Sequence, residues 1–395
     1  MLTRVYSEGA HLKIALSELA SGEHGRTVKI CYGVLENDGY LNLCVRSVAQ
    51  KSPKAAVRLI MKIALYSVLF ADMPRPVAVS EAVELARSIG KGGAAGFINA
   101  ALRAFDNVAV KIPEGIEGLC VRSNFPQFAA QKIVAAYGSR AEAILLAKRR
   151  GVSVRFERNA EKYEDLPHED TPFQDVKIYK KFTRDEGFSR GDYTFQSVGS
   201  VAICSVIEPC ERLLDACAAP GGKSVLLAKK CGFVTACEIH PHRVNLIESY
   251  KARMGAENVA AVCADSALFR AEFEGAFDGV LVDAPCSGFG TVAENPDLPL
   301  RKTEEGMSAL TALQLEILTN CARYVRPGGC LYYSTCSILP EENDGTVEAF
   351  LKSHSNFQIE RAECLLAHEK TDFGLQFLPD TAFGAGFYIS KLRKL

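Results

Sequence analysis

Apolar residues recur at three- and four-residue spacing from Val5 to Phe105, a period that predicts a helical front to the chain. Tyr66 to Phe70 and Val77 to Arg87 show it most clearly; Pro74 and Pro76 interrupt the pattern between them, and Gly90, Gly92 and Gly93 mark a further turn. The most apolar run, Leu59 to Phe70, is broken by Lys62 and is too short to span a bilayer, so it reads as a buried helix. Residues 125–150 add one or two more helices. The pattern then changes. Val152 to Phe156 is strand-like, and the acidic stretch Glu161 to Asp175 reads as a surface connection within a small mixed α/β subdomain. From Arg212 onward short apolar runs alternate with amphipathic segments. Strands are predicted at Leu213–Ala216, Phe233–Cys237, Ala260–Cys263, Gly279–Val282 and Cys330–Ser334, with helices at Ser224–Lys230, Pro241–Met254 and Ala309–Val325. Such βαβ alternation predicts a Rossmann-like, mostly parallel sheet with helices on both faces and ligands at the strands' carboxyl ends. The expected organisation is multidomain: an all-α N-terminal domain over 1–140, a small mixed α/β linking subdomain over 141–205, and an α/β catalytic domain over 206–395.

Composition changes this picture little. With 395 residues, 48% hydrophobic and 24% charged, the chain is ordinary globular material, long enough for two or three cores. Residues 1–10 carry Arg4 and Glu8 and show no apolar signal-peptide core, so a cytoplasmic protein is expected. The 14 cysteines are scattered with no Cys-x-x-Cys pair, which favours reduced thiols over a disulfide framework. The seven histidines make no metal-ligand constellation, His240 and His242 included, and no metal is expected. Charge is more informative. Residues 1–150 hold 20 Lys and Arg against 12 Asp and Glu, whereas the remainder holds 26 against 35. A basic front on an acidic back fits a polyanion-gripping module joined to a catalytic one.

The chemistry concentrates in the last 200 residues. Asp215 ends the first α/β strand, and the turn Cys217-Ala218-Ala219-Pro220-Gly221-Gly222-Lys223 follows, where glycine permits backbone that a side chain would obstruct. It opens a helix whose free N–H groups favour an anionic group such as a carboxylate. Glu238 closes the next strand, where an acid can accept both ribose hydroxyls, and Asp265 closes the third, within reach of an adenine amino group. Three acids at three successive strand ends predict adenosyl binding. The spacing does not match a Gly-x-x-x-x-Gly-Lys-Ser/Thr phosphate loop, which argues against an ATPase. Asp283 should end the fourth strand with Cys286 just beyond it, and Cys336 follows the next strand. Two cysteines on one rim beside a cofactor suit methylation at carbon 5 of a pyrimidine, where a thiolate must attack carbon 6 and a second group must help release the product. Cys204, Cys231 and Cys321 read instead as small core residues.

Ala218-Ala219-Pro220-Gly221-Gly222-Lys223, Asp283-Ala284-Pro285-Cys286-Ser287-Gly288 and Ser334-Thr335-Cys336-Ser337 together resemble the RNA cytosine-5 methyltransferases of the Nop/Sun type. Within these, the chain is most similar to the RsmB (Sun/Fmu) family of bacterial 16S ribosomal RNA enzymes. The similarity continues through Asn295-Pro296-Asp297, Arg326-Pro327-Gly328-Gly329, Pro340-Glu341-Glu342-Asn343 and Gly386-Phe387-Tyr388. At the front, Tyr32-Gly33-Val34-Leu35, Glu81-Ala82-Val83-Glu84-Leu85 and Gly96-Phe97-Ile98-Asn99-Ala100 resemble the NusB-like helical domain of that family. The resemblance implies that Cys336 attacks carbon 6, that Cys286 assists elimination, and that Asp283 hydrogen-bonds the base and also borders the cofactor. It implies that residues 217–223 with Glu238 and Asp265 hold S-adenosyl-L-methionine, with Arg243 contributing. The implied partner is ribosomal RNA, at an unstacked or loop cytosine. The chain departs from the family in lacking the usual Trp after Asn295-Pro296-Asp297, and in Ser197, where an acid usually follows Gln196. Oligomeric state is not legible, and a monomer is the default expectation. A DNA methyltransferase with Cys286 as attacker leaves Cys336 without a role. The remaining alternative is a non-catalytic RNA-binding or ribosome-assembly protein on a methyltransferase scaffold.

Overall fold

The computed structural model describes residues 1–19, 24–107 and 110–395. The chain packs as two compact units, residues 1–146 with 295–303, and residues 147–294 with 304–395. The stretch expected as a separate linking subdomain therefore divides: residues 141–146 pack with the helical unit and 147–205 with the catalytic one.

Among its described residues the first unit is helical: α1 (Leu2–Glu8), α2 (Leu12–Ser17), α3 (His24–Glu36), α4 (Asp38–Val48), α5 (Ala55–Phe70), α6 (Arg75–Ser88), α7 (Ala95–Ala104), α8 (Gly115–Ser123), α9 (Gln127–Tyr137) and α10 (Ala141–Leu145). α5 is its central element, burying Val57, Ile60, Met61, Ala64 and Leu65 at helical spacing. Each large side chain buried this way contributes roughly 1.5–3 kcal/mol relative to exposure. Lys62, which interrupts the apolar run, is 2% exposed and pairs with Asp38 at 2.5 Å; burial lowers its ammonium from the ordinary value and Asp38 opposes that. α6 begins where the prolines dictate, with Pro76 in its first turn, where a missing N–H costs no helical bond. Asp297 and Arg301 belong to this unit as well. Asp297 Oδ2 lies 2.8 Å from Arg301 Nη2, and Arg301 Nη1 donates to the Ala10 carbonyl at 3.1 Å, so the segment is tied to the α1–α2 turn.

The second unit opens with β1 (Val152–Phe156), β2 (His168–Asp170), β3 (Val176–Tyr179), α11 (Glu186–Ser189) and β4 (Tyr193–Phe195). The four strands form an antiparallel sheet in the order β2-β3-β1-β4. β2 lies inside the acidic stretch expected to be a plain connection. Its His168-Glu169-Asp170 carries no apolar signal, because it is an edge strand held by backbone pairing to β3.

The larger sheet follows α12 (Val198–Val206). It comprises β5 (Arg212–Asp215), α13 (Gly222–Leu227), β6 (Phe233–Glu238), α14 (Pro241–Met254), β7 (Val259–Cys263), β8 (Phe277–Asp283), α15 (Glu304–Ala322), β9 (Val325–Thr335), α16 (Asp344–Ser353), β10 (Phe357–Ile359), β11 (Glu369–Lys370), β12 (Leu375–Phe377) and β13 (Phe387–Lys394). The strand order is β11-β12-β13-β9-β8-β5-β6-β7, with β10 also on β13. β5 through β9 run parallel, and β10 to β13 are antiparallel additions. Alternation along each strand serves two cores. Leu213, Leu281 and Tyr332 join Ile203, Leu227 and Ile247 on one face; Leu214, Val282 and Tyr333 join Leu318, Val347 and Phe350 on the other. The fold is thus the expected all-α domain followed by a Rossmann-like domain. The order reverses between β5 and β8, and ligand crevices open at such a switch point, beyond the carboxyl ends. No helix among the described residues is long and apolar enough to cross a membrane.

Candidate active site at the strand ends

Asp283 and Ser334 are register partners at the ends of β8 and β9, and the chain past each carries a cysteine to the same rim. The Ala284 N–H donates to the Ser334 carbonyl at 2.8 Å, and the Gly290 N–H to the Cys336 carbonyl at 3.0 Å, so the two loops are joined by backbone. Both cysteines are half-buried, and their Sγ atoms lie 3.2 Å apart. Cys286 is held well above the ordinary thiol range, first by the hydrogen bond with Cys336 and then by burial. Either sulfur can donate in that contact.

Asp283 stands beside the pair. Its Oδ1 accepts from Ser334 Oγ at 2.7 Å and its Oδ2 from Lys223 Nζ at 2.8 Å. Burial lowers the Lys223 ammonium, yet Asp283 outweighs it and raises it above its ordinary value. Lys223 thus links the glycine turn to the cysteine rim.

The turn and the acids occupy the neighbouring strand ends. Gly221 has φ 102°, a left-handed conformation that a side chain strains, and a Cβ there would also meet the Ile247 backbone at 3.3 Å. Glu238 ends β6, 4% exposed, accepting from the His240 N–H at 3.0 Å and paired with Arg243 at 3.1 Å. Arg243 also donates to the Ala219 carbonyl at 3.2 Å, fixing the turn against α14. Asp265 lies two residues past β7, half-buried, with Oδ1 accepting from the Ala267 N–H at 2.9 Å. Two buried polar atoms next to the turn lack partners, Asp215 Oδ1 and Gln196 Nε2, the latter 3.5 Å from where a Cβ on Gly222 would sit. One acceptor and one donor left open suit a ligand offering both kinds of group. The helix after the turn is shorter than expected, ending at Leu227 rather than Lys230.

Residues 204–393 match the family described as 16S rRNA methyltransferase RsmB/F, and residues 1–107 match the NusB family. The probable ribosomal RNA small subunit methyltransferase B of Bacillus subtilis is 31% identical, over 96% of this chain and 93% of its own length. The chain belongs to the RsmB/F family. The ribosomal RNA small subunit methyltransferase B of Xanthomonas campestris is 28% identical, over all of this chain and 95% of that protein. The crystal structure of PH0851 superposes with a TM-score of 0.83 at 22% identity, covering 97% of this chain and 93% of that one, and so shares the fold.

As an RsmB/F member the chain is an S-adenosyl-L-methionine-dependent methyltransferase of small-subunit ribosomal RNA. The open polar atoms and the row of acids at the ends of β5, β6 and β7 fit that cofactor. Every site residue named from the sequence lies along the carboxyl rim of β5 to β9. Cys204, Cys231 and Cys321 are buried, as read. Sequence reasoning missed the Lys223–Asp283 pair, the open Gln196 amide and, most of all, Glu342. This fully buried carboxylate sits between the two cysteine loops. The only signal for it was an acid within the Pro340-Glu341-Glu342-Asn343 resemblance.

Proposed function

We propose that this chain methylates carbon 5 of a cytosine in small-subunit ribosomal RNA through a covalent bond between Cys336 and carbon 6. The observation that carries the reading is the 3.2 Å contact between Cys286 and Cys336 beside Asp283. Cys336 attacks as its thiolate, the stronger nucleophile. Asp283, oriented by Ser334 and Lys223, retains lone pairs that can accept from the base and favour protonation at its N3. Attack by Cys336 forms the C6–S bond and places electron density on carbon 5. S-adenosyl-L-methionine, held by residues 217–223 with Glu238 and Asp265, supplies an electrophilic methyl group there. Once Cys336 is bonded, Cys286 loses the hydrogen bond that raises its thiol and releases its proton to solvent. Its thiolate then takes the carbon 5 proton as the C6–S bond breaks and the electron pair returns to Cys336. The net products are the methylated base, S-adenosylhomocysteine and one proton. The base must leave any stack to reach the rim, which a loop or single-stranded site makes easier.

The test incubates wild type, Cys336→Ala and Cys286→Ala with S-adenosyl-L-methionine and small-subunit ribosomal RNA. Cys336→Ala is expected to lose methyl transfer and to form no covalent RNA complex on a denaturing gel. Cys286→Ala is expected to accumulate that complex, since attack proceeds and elimination stalls. Trapping by Cys336→Ala instead would reverse the two roles.

A further inference from the structure

Glu342 is fully buried, yet it has no cation among its described partners. Such a carboxylate persists only if donors surround it. Four do. Oε1 accepts from the Ser287 N–H at 2.7 Å and from Gln314 Nε2 at 3.0 Å; Oε2 accepts from Ser287 Oγ at 2.5 Å and from Ser337 Oγ. Ser287 follows Cys286 directly in the chain, and Ser337 follows Cys336. One side chain therefore grips both cysteine-bearing loops, each at the residue next to its sulfur. Its backbone is fixed in turn, because the Glu342 carbonyl accepts from Tyr333 of β9 at 2.6 Å.

We propose that Glu342 is a positioning residue for methyl transfer, a clamp that sets the spacing between the Cys286 and Cys336 sulfurs without touching substrate. The proposal rests on the reading that both cysteines react. Without the clamp either loop can drift, and a misplacement on the order of 1 Å costs about 100-fold in rate.

The experiment measures single-turnover methyl transfer to small-subunit ribosomal RNA for Glu342→Ala, Glu342→Gln and the double variant Ser287→Ala/Ser337→Ala. Calorimetric affinity for S-adenosyl-L-methionine accompanies it. A second readout is the rate at which diamide joins Cys286 to Cys336, followed by peptide mapping. In that step the two thiols give two electrons and two protons to the diazene, which becomes a hydrazine. Glu342→Ala should slow transfer about 100-fold while cofactor affinity and KM for RNA stay within about twofold. Disulfide formation should slow with it, about tenfold or more, because the effective concentration of one thiol at the other falls. Glu342→Gln keeps one accepting oxygen and should recover part of both rates. Unchanged disulfide formation in Glu342→Ala overturns the proposal. Should that variant not fold, the double serine variant decides, since it removes only two hydroxyls; full rates in it overturn the clamp. If the single cysteine variants still methylate, the covalent reading fails by itself, and the disulfide rate continues to report on Glu342.

Discussion

Asp215 ends β5 at 1% exposure, and burial raises its carboxyl from 3.8 to about 6. Ser224 Oγ, at 2.6 Å on Oδ2, favours the charged form without overcoming that burial. The folded state therefore holds the proton more tightly than the unfolded state. Its stabilising contribution is complete below pH 3.8 and is lost as pH rises through about 6. Relative to Asp215→Asn, the cofactor-free wild type should lose about 3 kcal/mol of stability across that window, at about 1.4 kcal/mol per unit. Urea unfolding of both proteins at pH 4 and pH 7 measures this. A wild-type-to-variant difference that stays constant with pH would place Asp215 at its ordinary value. Residues such as this were only partly legible in the sequence. The strand-end position of Asp215 followed from the apolar run before it, but its unpartnered oxygen depends on packing from α13 and β8. The two cysteines were legible because each follows a strand. Glu342 was not, because its four donors come from three separate segments.

Elements were legible where their pattern was local. β5, β6 and β8 lie within one or two residues of expectation, since central parallel strands are continuous apolar runs between turn residues. α14 begins and ends at Pro241 and Met254 as read, bounded by the proline in its first turn and Gly255 at its end. β9 proved longer than expected, starting at Val325, because Val325 already pairs with Phe277 of β8; the register then shifts past Arg326-Pro327-Gly328-Gly329 and pairing with β8 and β13 resumes at Cys330. The antiparallel additions β10 to β13 went unread. β11 has two residues, and β13 finds its place through long-range pairing with β9 and β10 as well as its contact with β12. That insertion shapes the site: the Gly290 carbonyl accepts from the Gly386 N–H at 2.6 Å, just before β13. A Cβ at Gly290 would fall 2.1 Å from the Gly386 carbonyl oxygen and 2.9 Å from that of Cys336. Both are backbone atoms with little room to yield. Gly290→Ala should therefore displace the Cys286 loop, slow methyl transfer about 100-fold and destabilise the fold by about 1–3 kcal/mol. Gly93→Ala, which meets nothing within 4 Å, is the control. Kinetics and melting of the two variants decide it, and a fully active Gly290→Ala would show that this loop tolerates movement.

For the whole molecule, the charge asymmetry seen along the chain coincides broadly with the two compact units. The helical unit carries the basic excess, and Lys51, Lys54, Arg87 and Lys91 are all exposed on it. The catalytic unit carries the acids at the ends of β5, β6 and β7 that we propose line the cofactor rim. A methyltransferase acting on RNA must hold a polyanion near an acidic site, so a separate basic unit offers a physical solution: phosphate contacts hold and orient the RNA without reading its sequence. We propose this role for the helical unit. Each phosphate contact to a single strand adds about 0.7 to the slope of log affinity against log salt. Replacing Lys51, Lys54, Arg87 and Lys91 by Gln should weaken RNA binding and lower that slope by about 3 if all four contact phosphates. S-adenosyl-L-methionine affinity should not change, because the residues proposed to hold it lie in the other unit. Binding titrations from 50 to about 300 mM salt test the idea over a range where screening changes strongly. A slope equal to that of wild type would move the RNA-gripping surface off these four residues, and the basic excess of the front half would then be ordinary solvated charge.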